Sequence, residues 1–177
     1  MPLRPYEQPP QGLKRSLFRL STDAIDDHGF FDPRYTCDLD NSSPELRWEH
    51  APEHTAGYAL LIEDQRDPKA IVSHWIVYNI PPSIHHLPAG IPPQESLPNG
   101  IFQGVNSFGK LGYSGPCPPA GGGPCRYVIR LLALAQPLPL IPPRCKREFL
   151  VERLRSGILA ETEITGTYQR ASAQKTG

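Results

Sequence analysis

No excess of either charge runs through this chain: 18 Lys and Arg stand against 18 Asp and Glu. Without a basic stripe or an acidic tail there is no electrostatic footprint for nucleic acid or an anionic membrane surface. Long apolar runs are missing too. A stretch such as Leu131 to Ala135 falls far short of the ~20 apolar residues that span a bilayer. Met1 to Gln11 (MPLRPYEQPPQ) has neither an apolar h-region nor a small-residue cleavage site. No secretory signal is therefore expected, and the chain is expected in the cytoplasm. The four cysteines, Cys37, Cys117, Cys125 and Cys145, form no CxxC pair and no zinc-ribbon spacing, so no metal site is expected. In a reducing cytoplasm the expectation is four free thiols. A Cys117–Cys125 bridge across a turn-rich loop is also conceivable, because geometry rather than spacing decides it.

What the chain has in plenty is proline. Its 22 prolines and 15 glycines make up about a fifth of the 177 residues, below the roughly 25–30% that signals disorder. Proline clusters between apolar runs, at 81–98, 115–124 and 137–143. A residue that fixes φ and donates no backbone hydrogen bond belongs in ordered loops and at strand edges. Between the clusters, Ala56–Glu63, Ser73–Ile80, Ile101–Val105 and Arg126–Ala135 mix aromatic, β-branched and aliphatic residues over strand-like lengths. Near-continuous hydrophobicity in three of them predicts a sheet covered on both faces. Ile158–Tyr168 alternates apolar and polar residues like a half-solvated strand. One helix is predicted over Arg144–Ser156, with Phe149, Leu150, Val151 and Leu154 on one side and Gly157 as its stop. The pattern predicts one mainly-β domain over 17–170, flanked by tails at 1–16 and 171–177.

Three stretches carry residues capable of chemistry. Glu63 to Pro68 brings charges directly after an apolar strand; a carboxylate there can orient a donor, although a solvated Asp-Pro turn is the commoner outcome. His74 opens an apolar strand, where a satisfied core histidine is commoner than a ligand, yet its ordinary pKa of about 6.5 lets it meet an anion. His85 and His86 lie in a proline loop and are expected at the surface. The stretch from Gly109 to Tyr127 is glycine-rich enough for backbone N–H groups to converge on an oxyanion. It is no P-loop, since the terminal Lys-Ser/Thr and the following helix are missing.

Together these stretches resemble the phosphatidylethanolamine-binding protein family, in its bacterial Raf-kinase-inhibitor-like branch. The matching segments begin with Tyr35-Thr36-Cys37-Asp38, Ser43-Pro44-Glu45-Leu46-Arg47-Trp48, Asp64 to Pro68, and His74-Trp75-Ile76-Val77-Tyr78-Asn79-Ile80-Pro81. They continue through Leu87-Pro88-Ala89-Gly90, Gln103 to Gly109, Gly112 to Pro119, Arg126-Tyr127-Val128 and Thr165-Gly166-Thr167-Tyr168. The resemblance implies an antiparallel Greek-key β-sandwich with a C-terminal helix and long Pro/Gly-rich loops. It also implies a non-enzymatic pocket for a small anion or phospholipid headgroup, walled by Asp64, Pro68, His74, Gly115, Pro116 and Tyr127. There the histidine, the backbone N–H groups and the tyrosine would donate to the anion while the carboxylate orients the imidazole. No cofactor is expected.

Two positions depart from the family pattern. Arg66 stands where a second acidic residue is usual, adding positive charge that suits phosphate or else pointing to solvent. Cys125 replaces the histidine of the usual His-Arg-Tyr, exchanging a strong donor for a weak one. Weaker anion binding than in a Cys125→His variant follows. The exchange also puts a thiol with His74 and Asp64, the inventory of a nucleophile, a base and an orienter, so thiol-dependent enzyme or redox chemistry is the alternative. Family members also act as kinase or protease inhibitors, so a protein partner and a homodimer are further expectations from the resemblance.

Overall fold

The computed structural model describes residues 17–155 and 157–172. The expected tail at 1–16, residues 173–177 of the other tail, and Ser156 of the predicted helix lie outside the described residues.

Eight strands, one α-helix and two single-turn 3-10 helices, Pro33–Tyr35 and Pro98–Gly100, make up the regular structure among them. Strands β1 (Arg19–Ser21), β2 (Leu46–Glu49) and β5 (His86–Leu87) form an antiparallel sheet in the order β1-β2-β5. The second sheet runs β6-β4-β3-β7-β8, built from β3 (Gly57–Asp64), β4 (Val72–Ile80), β6 (Phe102–Gln103), β7 (Cys125–Leu134) and β8 (Ile158–Tyr168). All its pairings are antiparallel. Helix α1 (Arg147–Leu154) precedes the last strand. The chain is thus mainly β, with two antiparallel sheets and one helix near the C-terminal end.

Every residue of β3 is buried, as its unbroken apolar run requires of a central strand. On one face Leu60, Ile62, Trp75 and Ile129 pack against Leu20, Leu46, Trp48 and Leu87 of the small sheet. On the other, Leu61, Ile76 and Leu132 pack against Leu150, Val151 and Leu154 of α1. A fully buried aliphatic side chain contributes roughly 1.5–3 kcal/mol, so these two cores carry most of the stability.

Several expectations need correcting. The helix is shorter than 144–156 because Pro142 and Pro143 precede it and Arg144 adopts a φ of 58°, outside the helical region. Its buried side is Arg147, Leu150, Val151 and Leu154, while Phe149 is exposed. Only Phe102–Gln103 of the predicted 101–105 strand pairs with β4 in regular register; the Gly104 N–H still donates to the Ile76 carbonyl of β4 at 3.0 Å, and Val105 turns away to Cys145 and Lys146. The cysteines are not four free thiols, and Cys117 does not pair with Cys125. Cys37 and Cys117, 80 residues apart in the chain, form a disulfide, leaving Cys125 and Cys145 free and buried.

One irregularity positions the site. Ile62 faces Trp75 and Glu63 faces Ser73, so His74 has no partner in the β3–β4 register. This β-bulge breaks the alternation of faces that a regular strand imposes.

Candidate functional site

Asp64 ends β3 and lies directly opposite Tyr127 of β7. Cys125, two residues before Tyr127, shares its face. The bulge turns the His74 ring to that same side, where it meets Tyr127 edge-on with centroids 5.2 Å apart. Asp64, His74, Cys125 and Tyr127, drawn from three adjacent strands, are therefore brought together. All four are at most 5% exposed.

Arg66 closes this group. Its backbone N–H donates to Asp64 Oδ1 at 3.0 Å, while its Nε and Nη2 reach Asp64 Oδ2 at 2.8 and 2.6 Å. Its remaining arm, Nη1, donates to Cys125 Sγ at 2.8 Å. The Arg66 side chain is half exposed while that of Asp64 is buried, so solvent screens the pair from the arginine side only. Pro68 is exposed on the turn beyond Arg66.

Asp64 does not orient the imidazole through a hydrogen bond. His74 Nδ1 lies 2.7 Å from the Ser114 carbonyl oxygen, which can only accept, so Nδ1 carries a hydrogen. Nε2 is then the acceptor of the neutral ring and becomes a donor only on protonation. Burial holds His74 below its ordinary pKa of 6.5, against the Ser114 carbonyl and the charge of Asp64, which favour the proton. Burial, then Cys125 and Asp64, push the Tyr127 hydroxyl well above its usual pKa, so it keeps its proton as a donor.

Gly115 and Pro116 hold the loop rather than offer free backbone donors. The Gly115 N–H donates to Asn41 Oδ1 at 2.7 Å, and a Cβ on Gly115 would collide with the Tyr35 carbonyl. The Pro116 carbonyl accepts from the Cys37 N–H at 3.1 Å, beside the Cys37–Cys117 bridge. Tyr113 donates its hydroxyl to the Tyr35 carbonyl at 2.5 Å. The 113–117 loop is thus bolted to the 35–41 loop. Sequence reasoning passed over Ser114, Asn41 and Phe108, whose ring meets His74 at 5.2 Å. Only the glycine-rich setting of Ser114 hinted at its part. Among the described residues, no three of His, Cys, Asp and Glu converge to hold a metal ion, and no helix is long and apolar enough to cross a membrane.

This buried group at the end of a two-sheet frame defines a class of small mainly-β proteins. Residues 21–169 match the family model described as phosphatidylethanolamine-binding protein, and the chain belongs to that family. A UPF0098 protein of Methanothermobacter thermautotrophicus is 40% identical over 151 residues, covering 85% of this chain and 98% of that relative. The crystal structure of Escherichia coli YbcL, described as a new member of the mammalian PEBP family, superposes with a TM-score of 0.79 at 29% identity. It covers 86% of this chain and 98% of YbcL. A Chlamydia trachomatis PEBP homolog matches at 0.75 and 28% identity, covering 88% and 99%.

Proposed function

We propose that this chain is a non-enzymatic binding protein, taking a phosphate or phospholipid-headgroup-like oxyanion on the group formed by His74, Tyr127 and Arg66. Its frame is read as the family's Greek-key sandwich. The observation that carries the reading is the commitment of His74 Nδ1 to Ser114, which makes Nε2 a donor to an anion whenever the ring takes up a proton. Arg66 supplies a movable charge, since its half-exposed side chain can share its donors between Asp64 and a ligand oxygen. An amide NMR titration of the full chain with inorganic phosphate is expected to show saturable shifts at the Ser114 and Tyr127 amides that His74→Gln loses. Retention of those shifts at Ser114 and Tyr127 by His74→Gln would overturn the assignment.

Thiol chemistry at Cys125 has less support, because the sulfur is buried under Arg66 and His74 spends its Nδ1 hydrogen on a carbonyl rather than on Asp64. Regulation of a kinase or protease, and pairing of two copies, rest on family resemblance. Disulfides persist in oxidising compartments, so the Cys37–Cys117 bridge favours such a location over the expected cytoplasm.

A further inference from the structure

We propose a second oxyanion site, on the opposite face of β4, at the start of α1. Ser73 and His74 are consecutive and point to opposite sides of β4, as strand neighbours do, while the bulge lies beyond them, between His74 and Trp75. His74 faces Tyr127, whereas Ser73 pairs with Glu63, whose carboxylate meets α1. A cavity of about 280 Å³ opens there, lined by Ser73, Asn106, Ser107, Lys146, Arg147 and Glu148. It lies just below the roughly 300–1,000 Å³ of drug-sized pockets, which suits a small ligand.

Two buried polar atoms of this lining group have no partner: Ser73 Oγ and Arg147 Nη2. Ser73 is 1% exposed and the Arg147 side chain 9%. Native proteins rarely leave buried polar groups unsatisfied, so each such atom calls for an explanation. Glu63 does not supply one. Its Oε1 accepts from Arg147 Nε at 2.5 Å and its Oε2 from Gln65 at 2.8 Å, leaving Nη2 in surplus. Asn106 is saturated too. Its Nδ2 donates to Gly112 and Ser114, and its Oδ1 accepts from Phe108 and Lys110. Ser107 is spent fixing the wall: its Oγ accepts from the Ser73 N–H at 2.8 Å, and its own N–H donates to the Ser73 carbonyl at 2.9 Å.

The end of the helix adds donors. Lys146, the N-cap, gives no side-chain cap, and the Leu150 N–H is the first to bond within the helix, to the Lys146 carbonyl at 3.2 Å. The N–H groups of the first turn and the positive end of the helix dipole favour an anion. Exposed Lys146 and Glu148 place one charge of each sign at the rim. A hydroxyl, a guanidinium arm and helix N–H groups all donate, so the matching ligand only accepts: a phosphoryl oxyanion, free or as a monoester.

The test is an amide NMR titration of the full chain at constant ionic strength, with inorganic phosphate in one arm and glycerol 3-phosphate in the other. Saturable shifts are expected at the Glu148 and Phe149 amides, persisting in His74→Gln, and stronger for glycerol 3-phosphate if a monoester is the fitting source. Ser73→Ala should weaken that binding about fivefold or more while leaving binding at His74 intact. Absence of saturable shifts at Glu148 and Phe149, or equal affinity in Ser73→Ala, overturns the second site. Shifts at those amides that vanish in His74→Gln overturn its independence from the first.

Discussion

Arg66 lies across Asp64 like a clasp, with two guanidinium nitrogens on one carboxylate oxygen and the third on Cys125 Sγ. Replacing it uncovers the buried group and removes a positive charge. Arg66→Ala is expected to lower folding stability by more than the about 1 kcal/mol of an exposed pair, since it leaves the buried Asp64 carboxylate without its cation. Two other readouts should move. Cys125 should react with iodoacetamide markedly faster than in the parent, and phosphate affinity should fall about tenfold, the value of one charge-assisted hydrogen bond. Unchanged labelling of Cys125 would show that Arg66 is no cover.

Cys125 occupies the position of a stronger donor. Its thiol is a weak hydrogen-bond donor and sits against a cation rather than contributing one. Cys125→His is expected to bind phosphate several-fold more tightly below about pH 6.5, where the new ring carries charge. Equal affinities by calorimetry would exclude Cys125 from the anion site.

The Cys37–Cys117 bridge closes 80 residues and ties the loop that carries Ser114 to the 35–41 loop. Removing both sulfurs, as Cys37→Ala with Cys117→Ala, should cost about 2–4 kcal/mol in chemical denaturation. Mass analysis without reductant should find two alkylatable thiols after denaturation, at Cys125 and Cys145. Four would refute the bridge.

The His74 ring takes up a proton at lower pH folded than unfolded, because burial disfavours its charge. Stability on this account is fully present above about pH 6.5 and is lost as pH falls toward the lowered value of the folded ring. Denaturation midpoints measured between about pH 7.5 and 5 should show this loss, and His74→Gln should flatten it. A His74→Gln profile as steep as the parent's would assign the loss to other groups.

The parts of this molecule that announce themselves in the sequence are those whose physics is local. β3, β4, β7 and β8 are apolar or alternating over eight or more residues, and each forms within a residue or so of its expected bounds. β1, β2 and β5 are two to four residues long, too short for a periodic signal, and exist through packing on the larger sheet. The site divides in the same way. Asp64, His74, Cys125 and Tyr127 converge as expected, but the bulge beneath His74 is a property of strand register. Arg66 folding back on Asp64, and Cys37 finding Cys117, depend on loops meeting across the chain. Neither leaves a trace in residue spacing.

The central claim is that a buried His74 takes up a proton when it binds an oxyanion ligand. Sulfate tests it best, because its charge is constant from about pH 7.5 to pH 5.5, while the imidazole titrates in that range. Calorimetric titrations in two buffers of different ionisation enthalpy should show affinity rising as pH falls, with net proton uptake on binding, and both effects should disappear in His74→Gln. Sulfate affinity independent of pH, or unchanged in His74→Gln, would contradict it.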